Sequence, residues 1–126
     1  MKANELMIGD WVYLPSIMSD DKYPVQVLEI QDDCIKYYVG GKKMMVNFKY
    51  IEPIPLTPEI LEKNDFVQNT KDSIFEHIGC SIIYGKYYRR TEGNALDTGD
   101  CLYPIKYVHQ LQHALRLCGI EKEIIL

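Results

Sequence analysis

The chain has few of the residues and motifs that most often carry out chemistry. Its 126 residues include three histidines, one tryptophan and four cysteines. No two cysteines have the C-x-x-C spacing, which argues against a zinc ribbon and against a thioredoxin-type redox site. The nucleophile-elbow, P-loop and dinucleotide-binding motifs do not occur. The sequence therefore predicts a protein that is not an enzyme and binds no cofactor, although a Cys–His pair that meets only in space stays open.

Long hydrophobic runs and an excess of basic residues are also missing. No apolar stretch approaches the roughly 20 residues of a membrane span. The first ten residues are interrupted by Glu5 and Asp10, so they lack the apolar centre of a signal peptide. The formal net charge of −4 argues against a dedicated nucleic-acid binder, although a local basic strip stays open. We expect a cytoplasmic protein with free thiols and no membrane partner.

Residues 1–55 show the pattern of short strands joined by tight turns. Gly9–Asp10 is a turn that opens a strand at Trp11, and Gly40–Gly41 is a two-residue hairpin signal. This half predicts a small SH3-like β-barrel or a bent antiparallel sheet. Trp11 is expected in its core, and the alternative is a surface aromatic that stacks on a ligand.

Residues 56–126 predict a second unit with both helices and strands. Thr57 and Pro58 suit the first two positions of a short helix that Asn64 can close. Strand patterns between residues 66 and 105 predict a second small sheet. An amphipathic helix then follows, and Gly119 suits its C′ position. The fold class is therefore α+β, with subdomains 1–55 and 56–126 that either stand apart or form one compact unit.

The last helix has one apolar face and one polar face. His109 and His113 lie four residues apart, a spacing that can bind zinc, but Gln110 stands where a metalloprotease has glutamate. We therefore expect no metal here. The expected buried residues are Val108, Leu111 and Leu115, and the expected exposed ones are His109, His113 and Arg116.

Two other stretches are candidate contact surfaces. Tyr84–Arg90 interleaves aromatic and basic side chains, which can stack on bases and follow phosphates. A tyrosine-rich strand with solvated arginines explains the same pattern equally well. The tail of the chain is apolar and is expected to be ordered, either against the second sheet or in a homodimer interface. The candidate binding residues are Lys86, Tyr87, Tyr88, Arg89 and Arg90, and the candidate interface residues are Ile124, Ile125 and Leu126.

Four segments together carry a family resemblance that spans most of the chain. They are MIGDWV at residues 7–12, IEPIPLTPEIL at 51–61, KNDF at 63–66 and IKYVHQLQ at 105–112. The chain resembles a family of small proteins from gut anaerobic bacteria, often found in their phages and mobile elements. Asp65 stands where glycine is common in that family. The resemblance implies an accessory protein of a phage or mobile element and carries over no catalytic residue.

These observations leave two functions from different classes. The first is a non-enzymatic module that binds a protein partner or another copy of itself through exposed aromatic and apolar side chains. The second is a nucleic-acid-binding accessory factor that uses the barrel and the strip Tyr84–Arg90. Binding to DNA or RNA that falls steeply with salt would distinguish the second from the first.

Overall fold

A computed structural model describes residues 5–16, 21–69, 74–77, 80–83, 94–97, 102–117, 119–120 and 122–126. For residues 68–69, 74–77, 80–83, 94–97 and 102–104 it describes the backbone alone. The chain divides into two compact units, Met1–Ile54 and Pro55–Leu126. None of the described helices is long and apolar enough to cross a membrane.

The described part of the N-terminal unit contains two antiparallel sheets of three strands each. The strands are β1 (Trp11–Pro15), β2 (Lys22–Gln26), β3 (Glu29–Gln31), β4 (Cys34–Val39), β5 (Lys42–Asn47) and β6 (Glu52–Pro53). The strand orders in the two sheets are β2-β1-β6 and β3-β4-β5. A short 3-10 helix, Phe48–Tyr50, lies between β5 and β6.

The chain passes from one sheet to the other at Val27 and Leu28. The Val27 N–H donates to the carbonyl of Asp10, next to β1, whereas the Leu28 N–H donates to the carbonyl of Lys36 in β4. Adjacent residues thus pair with strands of different sheets, which places a corner between β2 and β3. The expected antiparallel structure is confirmed, but the strands described between residues 11 and 53 do not close into a barrel.

Both sheets contribute to one hydrophobic core. Alternate residues of β1 and β4 point inward, as the period of a half-buried strand requires. Ile30 and Val46 pack against the edge of this core. The buried members are Leu6, Val12, Leu14, Val25, Val27, Ile35, Tyr37, Phe48 and Ile51.

The hairpin between β4 and β5 turns at Gly40 and Gly41, as the sequence predicted. Val39 lies opposite Lys42, so the loop has two residues. The φ angles of the glycines are 56° and 77°. A type I′ turn requires positive φ at both positions, a conformation that glycine adopts without a Cβ penalty.

The described part of the C-terminal unit contains a five-stranded antiparallel sheet and two helices. The strands follow one another in sequence order, so each pairs with its neighbour along the chain. The expected short helix, second sheet and closing helix are all present. The elements are α1 (Pro58–Lys63), β7 (Val67–Asn69), β8 (Ile74–His77), β9 (Cys80–Ile83), β10 (Asn94–Asp97), β11 (Leu102–Ile105) and α2 (Val108–Leu117).

Helix α1 has the predicted start, and its end is a Schellman motif. The Thr57 hydroxyl accepts a hydrogen bond from the N–H of Ile60 at 3.3 Å. At the other end, the N–H of Phe66 donates to the carbonyl of Leu61 at 3.0 Å, and that of Asp65 donates to Glu62 at 3.2 Å. Asp65 therefore occupies the C′ position, with a φ of 67°.

We predict that Asp65→Gly raises the free energy of unfolding by about 0.5–1 kcal/mol, because glycine has no Cβ to strain in the left-handed region. The change removes the ion pair with Lys122, but the Asp65 side chain is 81% exposed and such pairs contribute little. Urea unfolding at equilibrium measures the difference. Asp65→Ala, which keeps a Cβ, is the control and should not stabilise. A glycine variant no more stable than the alanine variant would contradict this explanation.

Helix α2 begins with a side-chain cap that the sequence reading missed. The Gln110 side-chain oxygen accepts hydrogen bonds from the N–H groups of Lys106 and Tyr107, at 2.7 and 3.1 Å. This is the glutamine half of a capping box, in which the N3 side chain reaches back to the N-cap N–H. The N-cap here is a tyrosine, so the usual serine or threonine signal was absent from the sequence.

The end of α2 confirms the prediction for Gly119. Its φ is 72°, and its N–H donates to the carbonyl of Arg116 at 3.1 Å. The N–H of Ile120 donates to the carbonyl of Leu115 at 2.9 Å, which completes a second Schellman motif.

The prediction that His109 is exposed was wrong. Its side chain retains only 5% of its exposure. The His109 ring stacks on the Tyr107 ring with centroids 5.8 Å apart, and it meets the His113 ring edge-on at 5.7 Å. The buried arc of α2 is thus wider than its apolar stripe. Val108, Leu111 and Leu115 are buried and Arg116 is exposed, as predicted, whereas His113 is half-buried and Gln112 is buried.

Candidate functional site

A tight turn ahead of β1 holds an apolar side chain in solvent. The N–H of Met7 donates to the Asp10 carboxylate at 2.8 Å, and the N–H of Asp10 donates to the Met7 carbonyl at 3.1 Å. Gly9, with a φ of 93°, gives the backbone the left-handed step that this turn needs. The Asp10 side chain is fully buried, whereas Ile8 at the tip of the turn is 63% exposed.

The same turn is tied to the neighbouring strand β2. The N–H of Gly9 donates to the carbonyl of Val27 at 2.7 Å, and the Gln26 side-chain amide donates to the carbonyl of Gly9 at 2.9 Å. Three separate hydrogen bonds, with the one from Val27 to Asp10, therefore join the turn to residues 26–27. These hydrogen bonds hold the turn that carries Ile8 in one conformation. A partner that contacts Ile8 would therefore order less of the backbone when it binds.

Trp11 lies outside the hydrophobic core, which corrects the first of its two sequence interpretations. The buried residues of β1 are Val12 and Leu14, and successive strand residues point to opposite faces. Trp11 and Tyr13 therefore occupy the other face, where both are half-buried. The alternation of side chains along β1 predicts that Trp11 lies on the face opposite Val12 and Leu14. The expectation of a buried tryptophan rested only on the size and apolar character of its ring.

Trp11 lines a cleft of about 500 Å³ in the N-terminal unit. One wall is formed by Ile8 and Trp11, and Tyr38 of β4, which is 60% exposed, also lines it. The volume falls in the range of pockets that accept a small ligand or the side chains of a bound segment. The residues lining the cleft are Ile8, Gly9, Trp11, Pro24, Val25, Gln26, Val27, Leu28 and Tyr38.

The side chains that line this cleft suit apolar and aromatic contacts. The described side chains that line it include no carboxylate, histidine, lysine or cysteine. Its aromatic rings offer flat apolar faces, and the Trp11 indole N–H and the Tyr38 hydroxyl belong to groups that hydrogen-bond a partner when covered. The cleft therefore provides stacking, apolar burial and a small number of polar contacts.

Charged and aromatic contacts stabilise the sheet that carries Tyr38. Hydrogen bonds from Lys43 and Lys36 hold the pKa of Glu29 below its ordinary value. This interaction stabilises the folded chain at neutral pH and is lost as the pH falls through the folded-state pKa of Glu29. On the inner face, burial and then a hydrogen bond with Tyr23 raise the pKa of Tyr37.

The strip predicted from the sequence, Tyr84–Arg90, lies outside the described residues. The binding role of Lys86, Tyr87, Tyr88, Arg89 and Arg90 therefore stays a prediction. The sequence reading missed Ile8, Pro24, Leu28 and Tyr38 as cleft residues. The signal available for Tyr38 was its position in β4, one residue out of phase with the buried pair Ile35 and Tyr37.

The apolar tail is hydrogen-bonded to the end of α1. The Asn64 side chain, at the end of α1, accepts from the Ile125 N–H at 2.6 Å and donates to the Ile125 carbonyl at 2.7 Å. Lys63 donates to the carbonyl of Leu126. Ile124 is 1% exposed, Leu126 is half-buried and Ile125 is 58% exposed. A role of these three residues in an interface between copies stays a prediction.

Two other candidate groups are the histidine pair of α2 and the Cys34 thiol. His109 and His113 lie ring to ring, and no group of three His, Cys, Asp or Glu side chains there could hold an ion. Burial and then a hydrogen bond to Asp33 raise the pKa of the Cys34 thiol, which disfavours the reactive thiolate. The exposed cleft around Trp11 is therefore the candidate site.

Comparison of the chain with protein-family models, with curated proteins and with solved structures found no match.

Proposed function

We propose that this chain is a non-enzymatic interaction module whose N-terminal unit binds a segment of a partner protein in the cleft around Trp11. The observation that carries the proposal is the set of exposed apolar side chains at a concave site. Ile8 and Tyr38 remain well over half exposed at its walls. Burying such side chains is favourable by roughly 1.5–3 kcal/mol each, so a folded protein gains little by leaving them in water.

The composition of the cleft favours a protein segment over a charged ligand. Tryptophan and tyrosine are enriched where interfaces gain most of their binding energy. Charged side chains are absent from the described lining, so a phosphate or carboxylate ligand would find no counter-ion there. An extended segment could place an apolar side chain between Trp11 and Tyr38 and leave its polar groups at the rim.

We also propose that the two sheets of this unit form an SH3-like arrangement. Strand β2 contacts β4 across the sheets, and one core takes side chains from both. The corner at Val27–Leu28 is the type of bend by which a small sheet folds over itself. This arrangement would place the cleft at the corner, between the turn at Ile8 and Tyr38 of β4.

The biological setting that we propose is that of a cytoplasmic accessory protein of a phage or mobile element. It rests on the resemblance carried by the four sequence segments at residues 7–12, 51–61, 63–66 and 105–112. The alternative is a nucleic-acid-binding accessory factor that uses the barrel and the strip Tyr84–Arg90. A test in cells must therefore separate protein adducts from nucleic-acid adducts.

Site-specific photo-crosslinking in cells that express the full chain tests the proposal. A photoreactive phenylalanine analogue replaces Ile8 at the mouth of the cleft, and the control replaces Val67, which is 71% exposed in the other unit. We expect a discrete protein adduct from position 8 that is absent from position 67. Trp11→Ala should remove the adduct, and Tyr13→Ala, next to it but outside the cleft lining, should not.

Nuclease treatment before electrophoresis separates the two functions. An adduct from position 8 that keeps its size after nuclease supports a protein partner. If nuclease reduces the adduct to the mass of the chain alone, the crosslinked partner is a nucleic acid, and this result would support the alternative. Equal adducts from positions 8 and 67, or an adduct that survives Trp11→Ala, would rule out the cleft as the binding site.

A further inference from the structure

Strand β5 forms an edge of the N-terminal unit and is exposed along most of its length. One side pairs with β4 over all six residues from Lys42 to Asn47. Within the described part of the chain, no strand pairs with the other side. Lys42, Lys43, Met44 and Met45 are all exposed. An edge of this kind offers backbone donors and acceptors to an added strand.

The hairpin end of this edge carries more lysines than carboxylates, although the whole chain is acidic. Between Cys34 and Tyr50 the sequence contains lysines at positions 36, 42, 43 and 49 and neither Asp nor Glu. Lys36 and Lys43 are paired with Glu29. Lys42 forms no ion pair with any described residue. The end of β5 nearest the hairpin is therefore a basic edge in a protein of formal net charge −4.

The register of β5 specifies what would complement it. Lys42 and Met44 share one face, and Lys43 and Met45 share the other, because side chains alternate along a strand. Each face of β5 therefore carries one lysine followed by one methionine, and the two lysines come before the two methionines along the strand. A strand added there would carry two consecutive acidic residues opposite the lysines and two consecutive apolar residues opposite the methionines.

We propose that the β5 edge is a second interaction surface, which takes an extended acidic segment of a partner protein as an added antiparallel strand. Its pattern is two apolar residues followed by two acidic residues, read in the partner's own direction. Backbone hydrogen bonds would hold the strand, and the adaptable methionine side chains would cover its apolar pair.

A second copy of β5 cannot supply the opposite charge, because Lys42–Asn47 contains neither Asp nor Glu. A parallel pairing in register would also place the lysines of the two copies next to each other, and like charges across an interface are unfavourable. An acidic strand meets Lys42 and Lys43 with the opposite sign. The lysines therefore favour an acidic strand over a second β5 edge.

The test uses the full chain, ¹⁵N-labelled, and three synthetic hexapeptides. The first has the sequence acetyl-Thr-Ile-Val-Glu-Asp-Thr-amide, the second replaces Glu-Asp by Lys-Lys, and the third carries N-methyl groups on alternate residues. We expect the first peptide to shift the amide resonances of residues 42–47 most, and the other two to bind more weakly. Shifts of equal size from all three, or shifts centred elsewhere, would overturn the proposal.

Charge reversal gives the second measurement. Lys42→Glu should weaken binding of the first peptide about fivefold or more, as the loss of one favourable pair and the gain of one repulsion imply. Lys49→Glu has the same charge change on the 3-10 helix and should leave binding unchanged. Equal effects of the two substitutions would show a general charge effect and contradict a site at β5.

A single-stranded thymidine oligonucleotide is the remaining probe. Phosphates would also be attracted to the basic edge, but an oligonucleotide cannot supply strand-type backbone hydrogen bonds. We expect weaker shifts at residues 42–47 than the acidic peptide produces at the same concentration and salt. An oligonucleotide that shifts these amides more strongly would replace the proposal by nucleic-acid binding.

Discussion

Replacing Asp10 by alanine is expected to lower the free energy of unfolding by about 2 kcal/mol. The carboxylate is fully buried and accepts a hydrogen bond from the N–H of Met7 at 2.8 Å. Hydrogen bonds to charged groups contribute roughly 1.5–3 kcal/mol, and alanine would leave the Met7 N–H without this acceptor. Urea unfolding followed by the fluorescence of Trp11, the one tryptophan, measures the loss.

The substitution should also weaken binding at the cleft, because the Asp10 contact shapes the turn that presents Ile8. Asp10→Asn keeps an oxygen that can accept from Met7 and should lose about half as much stability. Asp33→Ala is the matched control in a turn at the surface, where the carboxylate accepts from Asn47. An alanine variant at position 10 that unfolds like the parent chain would mean that the turn is held by backbone bonds alone.

Replacing Ile124 by alanine is expected to lower the free energy of unfolding by about 2–4 kcal/mol. Truncating a buried branched side chain loses its transfer free energy and leaves a cavity. Ile124 is 1% exposed, and the backbone of the next residue is hydrogen-bonded on both sides by the Asn64 side chain. Thermal unfolding of the purified full chain measures the change.

Ile125 supplies the control, since it is the same residue type, one position along, and is 58% exposed. Ile125→Ala should change stability by less than about 0.5 kcal/mol. Asn64→Leu should be as destabilising as Ile124→Ala, because it removes both partners of the Ile125 backbone. If Ile124→Ala and Ile125→Ala both change the stability by the same small amount, the tail contributes no packing energy. That result would also contradict the role assigned to Asn64.

Turns and helix ends could be predicted from the sequence where a backbone conformation or an unpaired N–H group favours one type of residue. The hairpin at Gly40–Gly41, the N-cap at Thr57 and the C′ glycine at position 119 were predicted because glycine or a short hydroxyl side chain meets a specific need. Asp65 extends the same rule, since its φ of 67° is a conformation that glycine adopts without a Cβ penalty.

The positions that could not be predicted depend on what packs from elsewhere in the chain. His109 is buried beside Tyr107 and His113, although the helical pattern alone placed it on the polar face. The cleft forms because the turn at Ile8 and residue Tyr38, thirty positions apart, line the same concavity. Helical and strand periods specify the faces of one element, whereas such sites need the relative placement of several.

The fluorescence of Trp11 gives the most direct test of the central claim, that the cleft binds a segment of a partner protein. A peptide that contains the segment crosslinked from position 8 is titrated into the full chain. We predict a blue shift of the Trp11 emission and reduced quenching by acrylamide, both saturating with the affinity measured by calorimetry, because the half-buried indole would be covered. Saturable binding that leaves the Trp11 emission and quenching unchanged would contradict the claim.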